Sequence, residues 1–231
     1  MTNNSSQFLK VICIVGTRPE AIKMAPVINS LKNESWAEVF VIRTSQHREL
    51  LDDVFEIFKI IPDFDLDIMS HNQNLVLLTS KLLEGIYSLT NNIKPNLILA
   101  QGDTMTAMAS SMVAFYEKID FGHIEAGLRT GDLNNPFPEE MNRILISRFA
   151  NFHFTPTMET KKNLINENIS SKNIYVCGNT VIDSVIQASK KVYEINLKIN
   201  KKTPLILVTV HRRENFSEFK SICNALKFVA D

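Results

Sequence analysis

The sequence predicts an α/β protein whose main part is a Rossmann-like three-layer αβα domain built on a parallel sheet. Two observations predict this class. Short runs rich in β-branched residues alternate with longer stretches of helical periodicity, and polar loops containing glycine follow the short runs directly. Strands that alternate with helices are joined by right-handed crossovers, which makes neighbouring strands parallel. The predicted domain covers residues 8–185.

The elements of this domain follow from the pattern in chain order. The first predicted strand is KVICIV at residues 10–15, and the loop GTRPE places Pro19 in the first turn of the next helix, where proline is well tolerated. Further strands are predicted at residues 39–42, 96–100, 121–124, 152–154 and 174–176. Helices are predicted after the first loop, up to Phe58, at residues 74–91, 106–116 and 158–166, and from Glu139 and Thr180 onwards.

The last part of the chain has a different composition. Residues 186–203 are rich in lysine and asparagine and are predicted to be a linker. Residues 204–231 are predicted to form the first βα unit of an incomplete nucleotide-binding domain, with a strand at residues 205–209 and a helix at 216–229. Because one βα unit cannot bury its own apolar faces, we expect a second domain that is only begun here.

Composition narrows the function classes. Lys+Arg and Asp+Glu both number 25, and no basic run indicates a nucleic-acid footprint, so an anionic ligand would need local cations. The polar start and its short apolar run predict neither a signal peptide nor a membrane span, and we expect a cytoplasmic protein. Cys13, Cys177 and Cys223 lie far apart among apolar neighbours, which predicts buried, reduced thiols.

Residues 122–143 predict a site. This stretch is dense in charge and lacks apolar periodicity, so burial alone does not explain its composition. Glu125 follows an apolar strand directly, and a carboxylate in that place needs a partner or a chemical task. Loops that follow parallel strands emerge at one edge of a sheet, where such folds bind ligands. We therefore expect convergence of GTRPE with Lys23, QGDT with Asp103, HIEAGLRT leading to PEEMNR, and HRREN with His211.

Each of these groups has a structural alternative when judged alone. Arg18 and Lys23, two cations at the first strand-to-helix turn, suit a phosphate. Neither a GxGxxG nor a Walker signature is present, so a capping loop with solvated charges is the alternative interpretation. Asp103 could cap a helix, and Glu139 and Glu140 could serve as first-turn carboxylates. His123 with Glu125 lacks a third metal ligand at recognisable spacing, so no metal is expected. Together the groups predict proton transfer on a polar anionic substrate without a redox cofactor.

The motifs carry a specific resemblance to a known family. In order they are GTRPEAIKMAPVI, TSQHRELLD, QGDT, GHIEAGLRTGD, PFPEEMNR, FTPT, GNTVID and VTVHRREN, spread over residues 10–215. The chain resembles the non-hydrolysing, bacterial-type UDP-N-acetylglucosamine 2-epimerases. The resemblance implies a two-domain GT-B-type fold, a homodimer and no cofactor. It also implies interconversion of UDP-GlcNAc and UDP-ManNAc in cell-envelope polysaccharide precursor synthesis, by elimination of UDP to 2-acetamidoglucal and re-addition with inversion at C2.

The same resemblance implies roles for individual residues. Asp103, Glu125, Glu139 and His211 would be catalytic, with no role assigned to each carboxylate separately. The cations that would bind substrate are Arg18, Lys23, Arg129, Arg143 and Arg212. Gln46 and Glu140 would be candidates for contact with a second, allosteric UDP-GlcNAc, although Asn72 stands where such members often have arginine.

One departure from the family pattern concerns the second domain. Members continue through a serine-glycine-glycine and glutamate motif that binds uridine and phosphate, and this sequence ends before it. We therefore expect weak or no epimerase activity from the 231 residues alone, with a separately encoded C-terminal half as a candidate partner. The alternatives are a fragment that only binds nucleotide sugar, a hydrolysing relative that releases ManNAc and UDP, and, on architecture alone, a GT-B glycosyltransferase.

Overall fold

In the described part of the chain, seven parallel strands form one sheet, in the order β3-β2-β1-β4-β5-β6-β7. The computed structural model describes residues 8–44, 48–68, 73–190, 206, 208–209 and 219–230. The strands are β1 (Leu9–Val15), β2 (Ala37–Arg43), β3 (Phe64–Asp65), β4 (Leu97–Gln101), β5 (Asp120–Ile124), β6 (Phe152–Thr155) and β7 (Ile174–Val176). The two-residue strand β3 has no sequence pattern and was not predicted.

Eight helices accompany these strands in the described part of the chain. They are α1 (Arg18–Lys32), α2 (Arg48–Phe58), α3 (Leu75–Ile93), α4 (Met105–Glu117), α5 (Glu139–Phe149), α6 (Met158–Asn166), α7 (Thr180–Ser189) and α8 (Phe219–Ala230), and one 3-10 turn lies at Ser171–Asn173. The chain divides into two units, Met1–Val192 and Tyr193–Asp231. The finer boundaries of 8–185, 186–203 and 204–231 stay predictions. Of the predicted strand at 205–209, the described residues Ile206, Val208 and Thr209 belong to no helix or strand.

Helices cover both faces of the sheet, which confirms the predicted three layers. Side chains alternate between the faces of a strand, so Ile12 of β1 packs with α3, α4 and α5, whereas Cys13 packs with α1 and α2. The same alternation in β4 places Ile98 in the first of these cores and Leu99 in the second. Each face is thus sealed by apolar contacts, and the polar loops are left at the strand ends.

The strand order reverses between β1 and β4. From β1 the chain moves outward through β2 to β3, and it then returns to β4 and moves the opposite way to β7. The loops after β1 and β4 therefore leave in opposite directions and open a crevice at the carboxyl edge of the sheet, where open α/β sheets bind ligands. The topology places the predicted site residues at this edge.

Helix α1 contains a proline that α7 compensates. Pro26 lies inside the helix and has no N–H, so the carbonyl of Ile22, four residues earlier, lacks its usual helical donor. The buried Ser184 hydroxyl of α7 donates to that carbonyl at 2.5 Å. This contact fixes α7 against α1 and so positions the loop that precedes α7.

The expectation of three buried thiols is correct only for Cys13. Cys13 is buried, and burial raises the pKa of its thiol to about 12. Cys177 and Cys223 are free but exposed, because Cys177 lies in the loop after β7 and Cys223 on an uncovered side of α8. Within the described ranges, no helix is both long and apolar enough to cross a membrane.

Candidate functional site

The loops after β1, β4, β5 and β7 meet at the carboxyl edge of the sheet. The Gly102 N–H donates to the Ile124 carbonyl at 3.0 Å, which joins the loop of Asp103 to the end of β5, directly before Glu125. Gly102 has a φ of +76°, a left-handed conformation that suits glycine. The sequence expectation that distant polar loops converge agrees with this arrangement for the described loops.

Glu125 is held by donors from three other elements. One carboxylate oxygen, Oε2, accepts from Lys23 Nζ of α1 at 2.5 Å and from the Gln101 amide at the end of β4. The other, Oε1, accepts from the Asn179 amide at 2.8 Å. Glu125 itself has a φ of +66°, which is uncommon for a residue with a side chain and often marks a functional position. The carboxylate is therefore fixed in one orientation, with a cation against it.

Asp103 and Glu140 share Arg143. The guanidinium contacts Asp103 Oδ2 through Nε at 2.9 Å and Nη2 at 2.7 Å, and it contacts Glu140 Oε2 through Nη1 at 2.9 Å. The Glu140 side chain is buried, and its Oε1 accepts from the N–H groups of Thr130 and Gly131 at 2.9 and 3.0 Å. Burial opposes ionisation of Glu140, but the Gly131 N–H, Arg143 and the Thr130 N–H outweigh it and hold the pKa of this carboxyl below its ordinary value.

Both oxygens of Glu140 are thus occupied within the chain. These contacts favour a structural role, and contact between Glu140 and an allosteric ligand stays a prediction. The same contacts raise the pKa of Arg143: burial opposes its charge, but Glu140 and Asp103 outweigh that cost. Arg143 is committed to two carboxylates, so its predicted contact with substrate also stays a prediction.

Glu139 differs from both neighbouring carboxylates. It is half-buried at the first turn of α5, and within the described residues it has no hydrogen-bond or ion-pair partner. Asn142 and Arg143 lie three and four positions further along, on the same side of the helix, and both reach the loop of Asp103. Glu139 therefore lies one helical turn before two residues that contact the loop of Asp103, and its carboxyl group has no partner among the described residues.

Two of the predicted cations stand at the start of α1. Arg18 is exposed and, in the part of the chain that the structure describes, has no partner. Lys23 is committed to Glu125. Arg18 is thus the open cation of this rim among the described residues, next to a helix N-terminus that favours anions.

Arg129 contacts protein groups instead of the open rim. Its guanidinium bonds both carboxylate oxygens of Glu167 at 2.6 and 2.9 Å and donates to the Ser147 hydroxyl at 2.9 Å. The fork-like pairing matches the geometry of a structural ion pair. A substrate contact of Arg129 stays a prediction that these bonds do not favour.

Two buried histidines lie side by side in β5 and β6. His123 and His153 are register partners, and burial lowers their pKa values to about 3 and about 4, so both are neutral. His123 Nε2 lies 2.7 Å from the Gly102 carbonyl, which only accepts, so this nitrogen carries the proton. In the described ranges, no group of His, Cys, Asp and Glu has the arrangement to hold a metal ion.

A pocket of about 550 Å³ opens beside Glu125. Its apolar floor is formed by Leu99, Ile124 and Phe154, and Glu125 and Asn179 lie at one end. The pocket joins the acidic rim to an apolar wall between α1 and α7.

Three predicted residues cannot be placed. His211, Arg212 and Gln46 lie outside the described residues. Their assignment therefore rests on the sequence alone.

Several residues that shape the site were missed by sequence reasoning. Gln101 and Asn179 hold Glu125, and Glu167 holds Arg129. The buried Glu20 joins the loop after β1 to the loop after β4. Gln101 and Asn179 carried a signal, because Gln101 ends β4 and Asn179 is the N-cap of α7, in the loop after β7. Glu167 gave no signal, since its partner is 38 residues away.

The fold and the rim define the class: a Rossmann-like α/β domain with an acidic site at the carboxyl ends of its strands. The chain belongs to the UDP-N-acetylglucosamine 2-epimerase family, whose sequence model matches residues 29–231. It is 46% identical over 235 residues to the UDP-N-acetylglucosamine 2-epimerase of Salmonella typhimurium, covering 96% of this chain and 62% of that protein. The chain thus spans about three-fifths of the length of the curated relatives it matches.

Solved structures of relatives share the fold. The Neisseria meningitidis UDP-GlcNAc 2-epimerase bound to UDP-GlcNAc is 48% identical with a TM-score of 0.75, over 77% of this chain and 49% of that one. S. aureus MnaA in a co-structure with UDP is 43% identical with a TM-score of 0.79, over 82% and 50%. The predicted α/β fold of the GT-B type is confirmed.

Proposed function

We propose that this chain supplies the acid–base half of an enzyme that interconverts UDP-GlcNAc and UDP-ManNAc for cell-envelope polysaccharide precursors. The reaction would eliminate UDP to give 2-acetamidoglucal and add it back with C2 inverted. The observation that carries the proposal is that three carboxylates in loops and first turns after β4 and β5 are in different states: Asp103 is paired with Arg143, Glu125 is held by Lys23, and Glu139 has no partner among the described residues.

Elimination of UDP requires both carboxylates that are fixed in place and a carboxyl group that can exchange a proton. The C2 proton of the sugar is not adjacent to a carbonyl, so it becomes acidic only as UDP departs and C1 gains cationic character. Fixed carboxylates stabilise that oxocarbenium character, as they do in glycosidases. A carboxyl group without a committed partner can take up and return a proton. Because C2 is inverted, the proton leaves one face and returns on the other, so two carboxyl groups must take part. We therefore assign one of these transfers to Glu139, and the other transfer, together with charge stabilisation, to Asp103 and Glu125, each held in place by a cation.

The cations complete the proposed roles. Arg18, open and exposed at the start of α1, would contact the diphosphate. Lys23 and Arg143 would act through the carboxylates that they orient. His211 and Arg212, outside the described residues, are proposed to lie near the departing UDP on the strength of their motif.

Incorporation of deuterium at C2 of the sugar tests the role of Glu139. The purified chain is incubated with UDP-GlcNAc in D₂O, and NMR and mass spectrometry follow label at C2, UDP-ManNAc and free 2-acetamidoglucal. Glu139→Gln is expected to lower the rate of label uptake by about a hundredfold or more. Glu159→Gln is the matched control, because Glu159 is an exposed first-turn glutamate of α6. Equal and measurable rates of label uptake for Glu139→Gln and the unaltered chain would refute the assignment.

A second candidate is nucleotide-sugar binding without turnover. The chain spans about three-fifths of the length of its curated relatives, so binding and turnover are tested separately. Calorimetry that finds binding of UDP-GlcNAc together with no deuterium at C2 would support this reading. Adding the remaining segment of a relative, as a separate polypeptide, would then be expected to restore turnover. Release of free ManNAc would instead indicate a hydrolysing enzyme.

We also propose a homodimer, formed through α3 and α4. These helices expose Tyr87, Phe115 and Tyr116 at 49%, 56% and 64%, beside a groove of about 330 Å³. Exposed apolar patches of this kind mark protein contacts. Tyr116→Glu is expected to convert the dimer to a monomer, as measured by sedimentation velocity. Met158→Glu, at an exposed position of α6, is expected to leave the dimer intact. A monomer at all concentrations would refute the proposal.

A further inference from the structure

Glu20 is a buried carboxyl group that bridges the two loops of the crevice. It lies in the first turn of α1 and is 1% exposed. Its Oε2 accepts from the Gly16 N–H at 3.1 Å, in the loop after β1. Its Oε1 accepts from the Thr104 hydroxyl at 2.7 Å, in the loop after β4. These two loops leave the sheet on either side of the point where the strand order reverses.

The two groups that donate to Glu20 are both constrained by their surroundings. Thr104 is the N-cap of α4, and its Oγ1 accepts from the Ala107 N–H at 3.1 Å. A hydroxyl group has one hydrogen, so the Thr104 hydrogen is committed to Glu20. Gly16 is equally constrained, because a side chain there would collide with Thr44 and Thr106. Both loop ends therefore depend on an acceptor oxygen at Glu20.

No cation reaches the carboxyl group of Glu20 among the described residues. Besides Lys32 and Glu117, which end α1 and α4, the charged groups on the elements around it are Arg18 and Lys23 of α1 and Asp103 of the adjacent loop. Lys23 pairs with Glu125, Asp103 pairs with Arg143, and Arg18 is exposed. Burial raises the pKa of Glu20 to about 7, although hydrogen bonds from Thr104, Thr17 and Gly16 act against this.

We infer that Glu20 is a positioning residue that fixes the loop of Arg18 relative to the loop of Asp103, in an arrangement that changes when its carboxyl group gains or loses a proton. When Glu20 is protonated, one of its two oxygens carries a hydrogen and accepts less well, so the contact of that oxygen with the Gly16 N–H or with the Thr104 hydroxyl weakens. Arg18 lies two residues after Gly16, and Asp103 directly precedes Thr104. The positioning of the two loops by Glu20 stands on the hydrogen bonds alone. Only the reaction in which these loops take part rests on the proposed function.

An NMR titration of the unaltered chain tests this without any ligand. The ¹³C signal of the Glu20 carboxyl group is followed from pH 5 to 9, together with the amide signals of Gly16, Asp103 and Thr104. We expect one shared midpoint near neutral pH, and we expect Glu20→Gln to hold the amide signals at their low-pH positions throughout. Loop signals that stay fixed while the Glu20 carboxyl titrates would overturn the inference, as would a midpoint that they do not share.

Amide hydrogen exchange provides the second measurement. Glu20→Ala removes both acceptors, so we expect exchange at Gly16, Asp103 and Thr104 to quicken about tenfold, with Glu20→Gln restoring part of the protection. Ser110→Ala is the matched control, since Ser110 is buried in α4 and loses only a bond to the Thr106 carbonyl. Equal effects of the Glu20→Ala and Ser110→Ala changes at these loops would also overturn the inference. Since neither measurement uses nucleotide sugar, failure of the proposed function would be recognised separately.

Discussion

Two buried glutamates, each in the first turn of a helix at the same sheet edge, are held in opposite ways. Glu20 opens α1 and Glu140 opens α5, and their exposed fractions are 1% and 0%. Both accept backbone N–H groups: Gly16 for Glu20, and Thr130 and Gly131 for Glu140. Only Glu140 has a cation, Arg143, at 2.9 Å.

The pKa values separate accordingly. Burial raises the pKa of Glu20 to about 7, whereas the Gly131 N–H and Arg143 overcome the burial of Glu140 and lower its pKa. The comparison teaches that burial and a helix N-terminus do not settle the charge of a carboxyl group here. The donors settle it: the Gly131 and Thr130 N–H groups and the Arg143 guanidinium all contact Glu140, and a buried charge is tolerated when it is paired and hydrogen-bonded.

Removing the cation should have the largest effect. Arg143→Leu leaves Asp103 and Glu140 without their partner, so we expect the free energy of unfolding to fall by about 3 to 5 kcal/mol at pH 7. The loss should shrink towards pH 5, because the buried Glu140 carboxyl group, once it lacks its cation, can neutralise by protonation. Urea denaturation at the two pH values measures it. Arg148→Leu, an exposed arginine of the same helix, should cost less than about 1 kcal/mol. Similar losses for both changes would contradict the comparison.

The pH dependence of Glu20 should be next in size. Its pKa is raised from 4.5 to about 7, so its stabilising contribution is complete below pH 4.5 and is lost as pH rises through 7. Relative to Glu20→Gln, which cannot ionise, the unaltered chain should lose about 2 to 3 kcal/mol between pH 5 and 8. Denaturation of both proteins across this range checks it. A constant difference between them would mean that Glu20 does not titrate there.

Neutralising Glu140 should cost somewhat less. Glu140→Gln removes a charge-assisted bond to Arg143, and we expect a loss of about 2 kcal/mol at pH 7. Because its pKa is lowered, the stabilisation from Glu140 is present above the ordinary carboxyl pKa and is lost as pH falls through the folded value. Glu139→Gln changes the neighbouring carboxyl, which has no partner among the described residues, and should cost less than about 0.5 kcal/mol. Thermal and urea unfolding of this pair gives the test.

The smallest effects are expected at Thr104. Thr104→Val removes both the α4 cap and the donor to Glu20, at a cost of about 1 to 2 kcal/mol. Thr104→Ser keeps the hydroxyl group and should change the free energy of unfolding by only a few tenths of a kcal/mol. Circular dichroism during urea titration measures both. An equal loss for valine and serine would show that the hydroxyl contacts do not matter.

Much of the fold could be predicted because its signals are local. The run at β1, the loop with Pro19 and the apolar spacing of α1 lie within a few residues of one another. The same holds for α8, whose helix was expected. Strand β3 was not predicted, because two residues are too few to show the alternating hydrophobic pattern of a strand. Its pairing with β2 is a contact between separate segments of the chain.

The partners of the site were less accessible. Lys23 was expected to bind substrate, and its contact with Glu125 joins residues 102 positions apart. Arg143 was likewise expected to bind substrate, and it holds Asp103 from 40 positions away. A polar loop in sequence looks the same whether its arginine faces a ligand or another side chain. Only packing distinguishes the two.

By itself, the sequence determined that strands and helices alternate, that polar loops follow the strands, and that the motifs resemble one family, because periodicity and turn chemistry are properties of neighbouring residues. The tertiary structure alone decided which acidic groups meet a cation. Lys23 and Arg143 come close to Glu125 and Asp103 only once separate βα units are placed side by side. The free energy of a buried charge depends on what surrounds it in space, and a linear chain does not specify that.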